Sequence, residues 1–159
     1  MNNKRGISTV VATVLIIMIT VAAVGIIWAS VVPMITNKLS SSTECIDASS
    51  QVQLATDKGY PCMNGSSLKI QIKRGPKDLE LAAVQVLVSI KGNSYSEDYS
   101  TDMPGPNEER LFSVTGSQLG LPSGVSILDA SDVKIAPMVT VGSGKETCDA
   151  SPSVTIKSC

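Results

Sequence analysis

Histidine is missing altogether from the 159 residues, which removes the side chain that most often serves as general base or metal ligand near neutral pH. No Cys-x-x-Cys pair, glycine-rich phosphate loop or nucleophile elbow occurs either. Nothing therefore argues for an enzyme, and no motif asks for a cofactor or a metal. An excess of basic residues is lacking too. A net charge of -1 and a pI near 5.4 leave no electrostatic footprint for nucleic acid, which is not expected as a partner. The most informative absence is local, because no charged residue of either sign occurs from Ile7 to Thr36.

What charge there is divides unevenly. Lys4 and Arg5 are the only ionised side chains before Lys38, and the 14 acidic residues all follow it. A short basic end, a long uncharged run and a mildly acidic remainder describe a membrane-crossing topology. The basic end stays in the cytoplasm and the C-terminal part lies outside. Val, Ile, Leu, Ala and Met fill most of the run, and about 20 such residues cross a bilayer as a helix. Read as helix from Ile7 to Val32, it extends about 39 Å at 1.5 Å per residue.

A permanent single-pass anchor would explain this segment. A conventional secretory signal fits less well, because its apolar region covers only about 7–15 residues before a small-x-small cleavage site. Trp28-Ala29-Ser30 is a poor site of that kind. A third reading has cleavage before the run, so that the helix is kept. Lys4-Arg5-Gly6-Ile7-Ser8 sets a basic pair and a glycine directly ahead of the hydrophobic stretch. The following residues, from Ile7-Ser8-Thr9-Val10-Val11 through Leu15-Ile16-Ile17-Met18 to Thr20-Val21-Ala22-Ala23-Val24, resemble the N-terminal signature of archaeal type IV pilins.

The resemblance covers about 30 residues and implies a cleavage between Gly6 and Ile7 by a prepilin peptidase, with 1–6 as a class III signal peptide. It also implies an assembly ATPase, a membrane platform protein and further copies of the chain as partners. The membrane holds the precursor, and an extracellular filament is its destination. Bacterial type IV pilins generally carry a glutamate at the fifth mature position; this chain has Val11 there, and many archaeal members also lack that glutamate. Archaellins of the same superfamily commonly have glycine at the third mature position, here Thr9. An adhesive surface pilus is thus favoured over a motility filament.

A helix that is apolar all round must be buried on every side, and either lipid or a bundle of its own copies can do that. Ala22, Gly25 and Ala29 recur at i, i+3, i+7 and form a small-residue stripe where a neighbouring backbone can approach. The same composition is also ordinary for a transmembrane segment. Thr9, Thr13 and Thr20 lie near a common face, where hydroxyls bond the carbonyl one turn back.

The expected organisation is 1–6 signal, 7–36 apolar helix, 37–44 polar linker and 45–159 outer domain, hence α+β: a long helix followed by an all-β sandwich. Beyond the linker, β-type runs at Gln51–Thr56, Leu68–Lys73, Val84–Ile90, Arg110–Thr115, Val125–Leu128, Val133–Val141 and Ser153–Lys157 alternate with turn residues. Leu87 opposes the Val84, Val86, Val88, Ile90 face and predicts cover on both sides of that strand. Pro137 predicts an edge or a bulge. The order Leu68-Lys-Ile-Gln-Ile-Lys-Arg-Gly, Leu79-Glu-Leu, Val84-Gln-Val-Leu-Val is also similar to the immunoglobulin-like outer domains of archaeal pilins and archaellins.

Four cysteines, Cys45, Cys62, Cys148 and Cys159, fit two disulfides in an oxidising compartment and allow three pairings. Local pairing is expected, Cys45 with Cys62 and Cys148 with Cys159. Asn64-Gly65-Ser66 is an N-glycosylation sequon in a turn-like stretch, and it also reads as a plain turn. Asp98, Asp102, Glu108 and Glu109 are expected to form one acidic patch in a loop containing Pro104-Gly105-Pro106. Their spacing fits no calcium loop and reads as a solvated surface loop. The function expected is that of a structural polymer subunit serving surface adhesion, against the alternative of a membrane-anchored extracellular binding module.

Overall fold

The computed structural model describes residues 9–142 and 144–159, with side chains throughout except at 37–41. One helix, α1, runs Thr9–Gln51 and is followed by ten strands. The chain divides into two compact units between Leu39 and Ser40. The linker expected at 37–44 is helical. Its Ser40-Ser41-Ser42-Thr43 stretch has weak helix propensity, but no glycine or proline stands between Met34 and Lys58 to end the helix. Pro33 lies inside α1 and withholds one bond, the one an N–H would give the carbonyl of Ala29.

The second unit holds β1 (Val52–Leu54), β2 (Cys62–Asn64), β3 (Ser67–Arg74), β4 (Leu81–Ile90), β5 (Asn93–Tyr99), β6 (Glu109–Thr115), β7 (Ala130–Val141), β8 (Gly144–Thr147), β9 (Val154–Thr155) and β10 (Lys157–Ser158). Among the described residues these strands form two curled five-stranded sheets. In the first, β3 pairs with β6 along one side and with β1 and β2 along the other, and β10 pairs in parallel with β2. In the second, β4 lies between β5 and β7, and the far side of β7 is shared by β8 and β9.

Alternation decides which faces meet. Leu68, Ile70 and Ile72 of β3 and Val84, Val86, Val88 and Ile90 of β4 are wholly buried in one core with Phe112, Val114, Val133 and Ile135. Both sheets contribute, so each supplies the cover that the other needs, at roughly 1.5–3 kcal/mol per fully buried aliphatic side chain. Leu87, on the opposite face of β4, is only half-buried, so the second sheet is not closed over on its outer side as expected. The chain leaves the second sheet after β9 and joins the first at β10, with Ile156 packed against the core between them.

Pro137 sits in β7 opposite Val84 without a bulge; the register shifts lie instead at Leu81/Ala83 and Ser89/Ile90. The side of β7 on which its missing N–H would point is the gap between β9 and β8. There its carbonyl accepts from Cys148 N at 2.9 Å, and Ile135 exchanges bonds with Ser151. The strand expected at Val125–Leu128 is a 3-10 turn over Ile127–Asp129, capped by the Ser126 hydroxyl accepting from Leu128 N. The tight turn Lys91-Gly92, with φ of 50° and 82°, returns the chain into β5. No alternation of apolar residues announced that strand.

Candidate functional site

Two features of the molecule have no ordinary role in a self-contained fold. The first is the apolar part of α1. Thr9–Thr36 is the one segment among the described residues long and apolar enough to cross a membrane, and its most apolar stretch is buried nowhere in the chain. Length and composition of this kind suit a membrane anchor or a signal sequence alike. Val14, Ile17, Val21, Val24, Trp28, Val31 and Ile35 all present their side chains outward. Thr13 donates to Val10 O and Thr20 to Ile17 O, each at 2.9 Å, so their polar groups are satisfied within the helix as expected. Thr36 donates to Val32 O and Pro33 O.

Ala22, Gly25 and Ala29 are exposed and fall within about 60° of arc at 100° per residue. A methyl group added at Gly25 would meet nothing within 4 Å. The stripe therefore has no partner inside the described chain. Lys4, Arg5, Gly6 and Ile7 lie outside the described residues.

The second feature, within Ser40–Cys159, is the seating of the end of α1 in the β domain. Ala48 is buried against Val139 and Cys148. Cys45 is bonded to Cys148, with Cα atoms 5.1 Å apart. Lys77 Nζ reaches Asp47 at 2.7 Å, and Ser49 Oγ donates to Asp149 O at 3.4 Å. At the last turn, Gly75 N donates to Gln51 O at 2.8 Å, and Lys77 N donates to Gln51 Oε1 at 3.3 Å. Helices end with carbonyls that lack partners, and the turn after β3 supplies two donors to Gln51. Arg74-Gly75-Pro76-Lys77 reads as a turn in the sequence, but its meeting with Asp47 and Gln51 was not foreseen. The only signal was the turn Gly75-Pro76 itself.

The local cysteine pairing is corrected. Cys45 joins Cys148 and Cys62 joins Cys159, at sequence separations of 103 and 97. Cys62 lies on β2 beside β10, which brings the segment carrying Cys159 alongside it. Cys148 follows β8 and extends its ladder by one bond to Pro137, toward the helix. Sheet pairing between segments remote in sequence thus overrides loop proximity.

The acidic residues are not one patch. Asp98 lies on β5 and accepts from Gln85 Nε2 at 2.9 Å. Arg110 holds Asp102 and Glu108, while Glu109 accepts from Gln71 Nε2 and pairs with Lys58 at 2.5 Å. That hydrogen bond, with the Glu109 charge, raises the Lys58 amine above its usual range. Burial, and then the Glu97 charge, raise the Tyr99 phenol. The described residues contain no group of three or more His, Cys, Asp or Glu suited to a metal ion. Asn64 is exposed where β2 turns into β3. Comparison with protein-family models, with curated proteins and with solved structures finds no match in any of the three.

Proposed function

We propose that this chain is a structural subunit of an extracellular filament of the archaeal type IV pilus kind, delivered through the membrane by its apolar helix and polymerised through the same helix. One observation carries the reading: the most apolar stretch of Thr9–Thr36 is buried nowhere among the described residues, while the β domain encloses a core of its own. Such a helix needs an apolar environment from outside, first lipid and then neighbouring copies. Moving between them changes little in gross hydrophobicity, so assembly draws on side-chain packing. Ala22, Gly25 and Ala29 are where close approach is easiest. The two-sheet domain is then the subunit's outer, immunoglobulin-like body, exposed to an oxidising medium that suits its two disulfides.

Intact-mass analysis of the protein from its native membrane tests this. The expected mass corresponds to a chain beginning at Ile7, and electron microscopy of sheared surface material should show filaments containing it. A chain that keeps 1–6 and runs as a monomer in detergent would overturn the reading. That outcome would favour the permanent anchor, for which the same uncovered helix is equally suited.

A further inference from the structure

The end of the β domain remote from the seat of α1 carries a recess that neither the core nor the proposed assembly uses. Register fixes which end this is. Arg74, at the close of β3, lies opposite Val52 directly after α1, whereas Ser67, at its start, lies opposite Thr115 at the end of β6. From Ser67 to Arg74 the strand spans about 23 Å at 3.3 Å per residue. The second sheet agrees, with Leu81 opposite Val139 at the helix end and Ile90 opposite Ala130 at the other.

The remote end is closed by the connection 116–129 between β6 and β7, which is long for a loop inside a compact domain. It is firmly held. Leu119 and Ile127 are buried in the core, Leu119 N donates to Thr115 O, and Leu121 N donates to Gly116 O. A Cβ on Gly116 would stand 3.2 Å from Leu121 Cδ1, so the bare glycine lets that side chain lie against it. Between this connection and the tip of the β2–β3 hairpin is a recess of about 540 Å³, lined by Ser66, Thr115, Ser117, Leu121, Val125 and Ser126. That volume is ordinary for a small-molecule site. No ionised side chain lines it, and Asp129, three residues beyond Ser126, is paired with Lys91 at 2.9 Å.

Each hydroxyl in the lining has one proton to give and two lone pairs that can receive. Thr115 Oγ1 gives its proton to Gln118 Oε1 at 2.8 Å, so in its 3.0 Å contact with Ser117 it is Ser117 that donates. Both lone pairs of Ser117 stay open. Ser126 Oγ accepts from Leu128 N at 3.2 Å, and its own proton is unspent. Ser66 is exposed and makes no hydrogen bond among the described residues. The recess thus offers donors at Ser126 and Ser66, acceptors at Ser117, and the aliphatic groups of Leu121 and Val125, all without charge.

We propose that this recess binds uncharged sugar units of a surface polysaccharide, one site on each copy of the chain. A pyranose ring has an apolar C–H face, which suits Leu121 and Val125, and a rim of hydroxyls that both give and accept hydrogen bonds. An acidic sugar would bring a charge to a lining with no cation to meet it. The use of the site rests on the filament reading: the end that receives α1 is committed to assembly, and the opposite end is the one open to a surface. A single shallow site binds weakly, and repetition along a filament strengthens attachment by about 10²–10⁴-fold.

The test titrates the full-length protein, as single chains in a detergent without a sugar head group, with neutral hexasaccharides of glucose, mannose, galactose and N-acetylglucosamine. Hexagalacturonate is the charged comparison. At least one neutral hexasaccharide should bind and hexagalacturonate should not. Ser117→Ala, an exposed change that leaves packing alone, should weaken that binding about 2–10-fold. Val125→Asp should abolish it, and Leu111→Ala, on the outer face of the first sheet, should leave it unchanged. Binding by none of the neutral hexasaccharides, or binding that Ser117→Ala leaves at full strength, would overturn the site and leave the filament reading untouched. Sheared filaments should hold to an immobilised polysaccharide of the bound sugar at least about 100-fold better than single chains. Equal retention would overturn the role in attachment. Sugar binding by chains that never assemble would instead sink the filament reading and leave the site standing.

Discussion

Gly75 donates its amide to the carbonyl of Gln51 at 2.8 Å, and a Cβ at Gly75 would stand 2.0 Å from Gln51 Oε1. The glycine is thus required by a neighbour and not by backbone conformation. Gly75→Ala must push the Gln51 side chain aside and break its bond from Lys77 N, at a cost of about 1 kcal/mol. Gln51→Ala removes the obstruction, so the second substitution should then cost little. A double-mutant cycle by chemical denaturation checks this, and additive costs would refute the contact.

The two disulfides close loops of similar length, so removing either should cost a similar amount. Paired cysteine-to-serine replacement at Cys45 and Cys148, or at Cys62 and Cys159, should each lower stability by about 2–5 kcal/mol. Non-reducing peptide mapping provides the direct check on connectivity. Recovery of a Cys148–Cys159 peptide would contradict the structure.

Burial separates two aliphatic residues that composition cannot. Ile135 is wholly buried between the sheets and Leu128 is 62% exposed. Ile135→Ala should destabilise by about 2–5 kcal/mol and Leu128→Ala by less than about 0.5 kcal/mol. Thermal or denaturant unfolding of the two variants would show the contrast.

Tyr99 stacks edge-on against Phe112 at 5.2 Å between ring centres, and its hydroxyl is buried without a hydrogen-bond partner among the described residues. Because burial raises its pKa in the folded state, the unfolded chain gives up the proton first as pH increases. Stability from this group is therefore intact below the ordinary tyrosine value near 10 and declines above it, until the folded phenol also ionises. Tyr99→Phe should be neutral or slightly stabilising at pH 7 and should reduce the loss of stability above pH 10. Unchanged pH dependence in the variant would exclude Tyr99 as the cause.

Gly25→Leu tests the helix stripe. A Cβ at Gly25 meets nothing within 4 Å outside the helix's own backbone, so if the proposed filament forms through this helix, membrane insertion should be unchanged while filament yield falls. Filament counts equal to wild type would remove the stripe from the assembly interface.

Much of this architecture was legible in the chain itself. Strands β3, β4, β6 and β7 show themselves because their inward residues alternate, and the apolar half of α1 is announced by the absence of charge. Strand β5 escaped notice because Asn-Ser-Tyr-Ser-Glu-Asp-Tyr is polar throughout. As a strand paired along one side only, it needs no apolar face of its own beyond Tyr95 and Tyr99, and Lys91-Gly92 was its only signal. The polar half of α1 read as linker, since its seating depends on Ala48, Cys45 and Gln51 meeting residues far along the chain. Ile127 is buried without being in a strand, because Gly124 and the Ser126 cap turn the backbone there. Cysteine pairing lay beyond reach for the same reason as the helix seat: it follows from which strands become neighbours, not from spacing.

The two sulfur bridges interleave, Cys45 before Cys62 and Cys148 before Cys159, so every peptide bond from 62 to 148 is spanned by both. One backbone cut there, for instance in the loop carrying Pro104-Gly105-Pro106, cannot release a fragment. The nicked molecule would keep its full mass on a non-reducing gel and separate into two pieces only after thiol treatment. A domain tied in this way tolerates a severed main chain, which is a useful property wherever proteases are present and a damaged copy cannot readily be replaced.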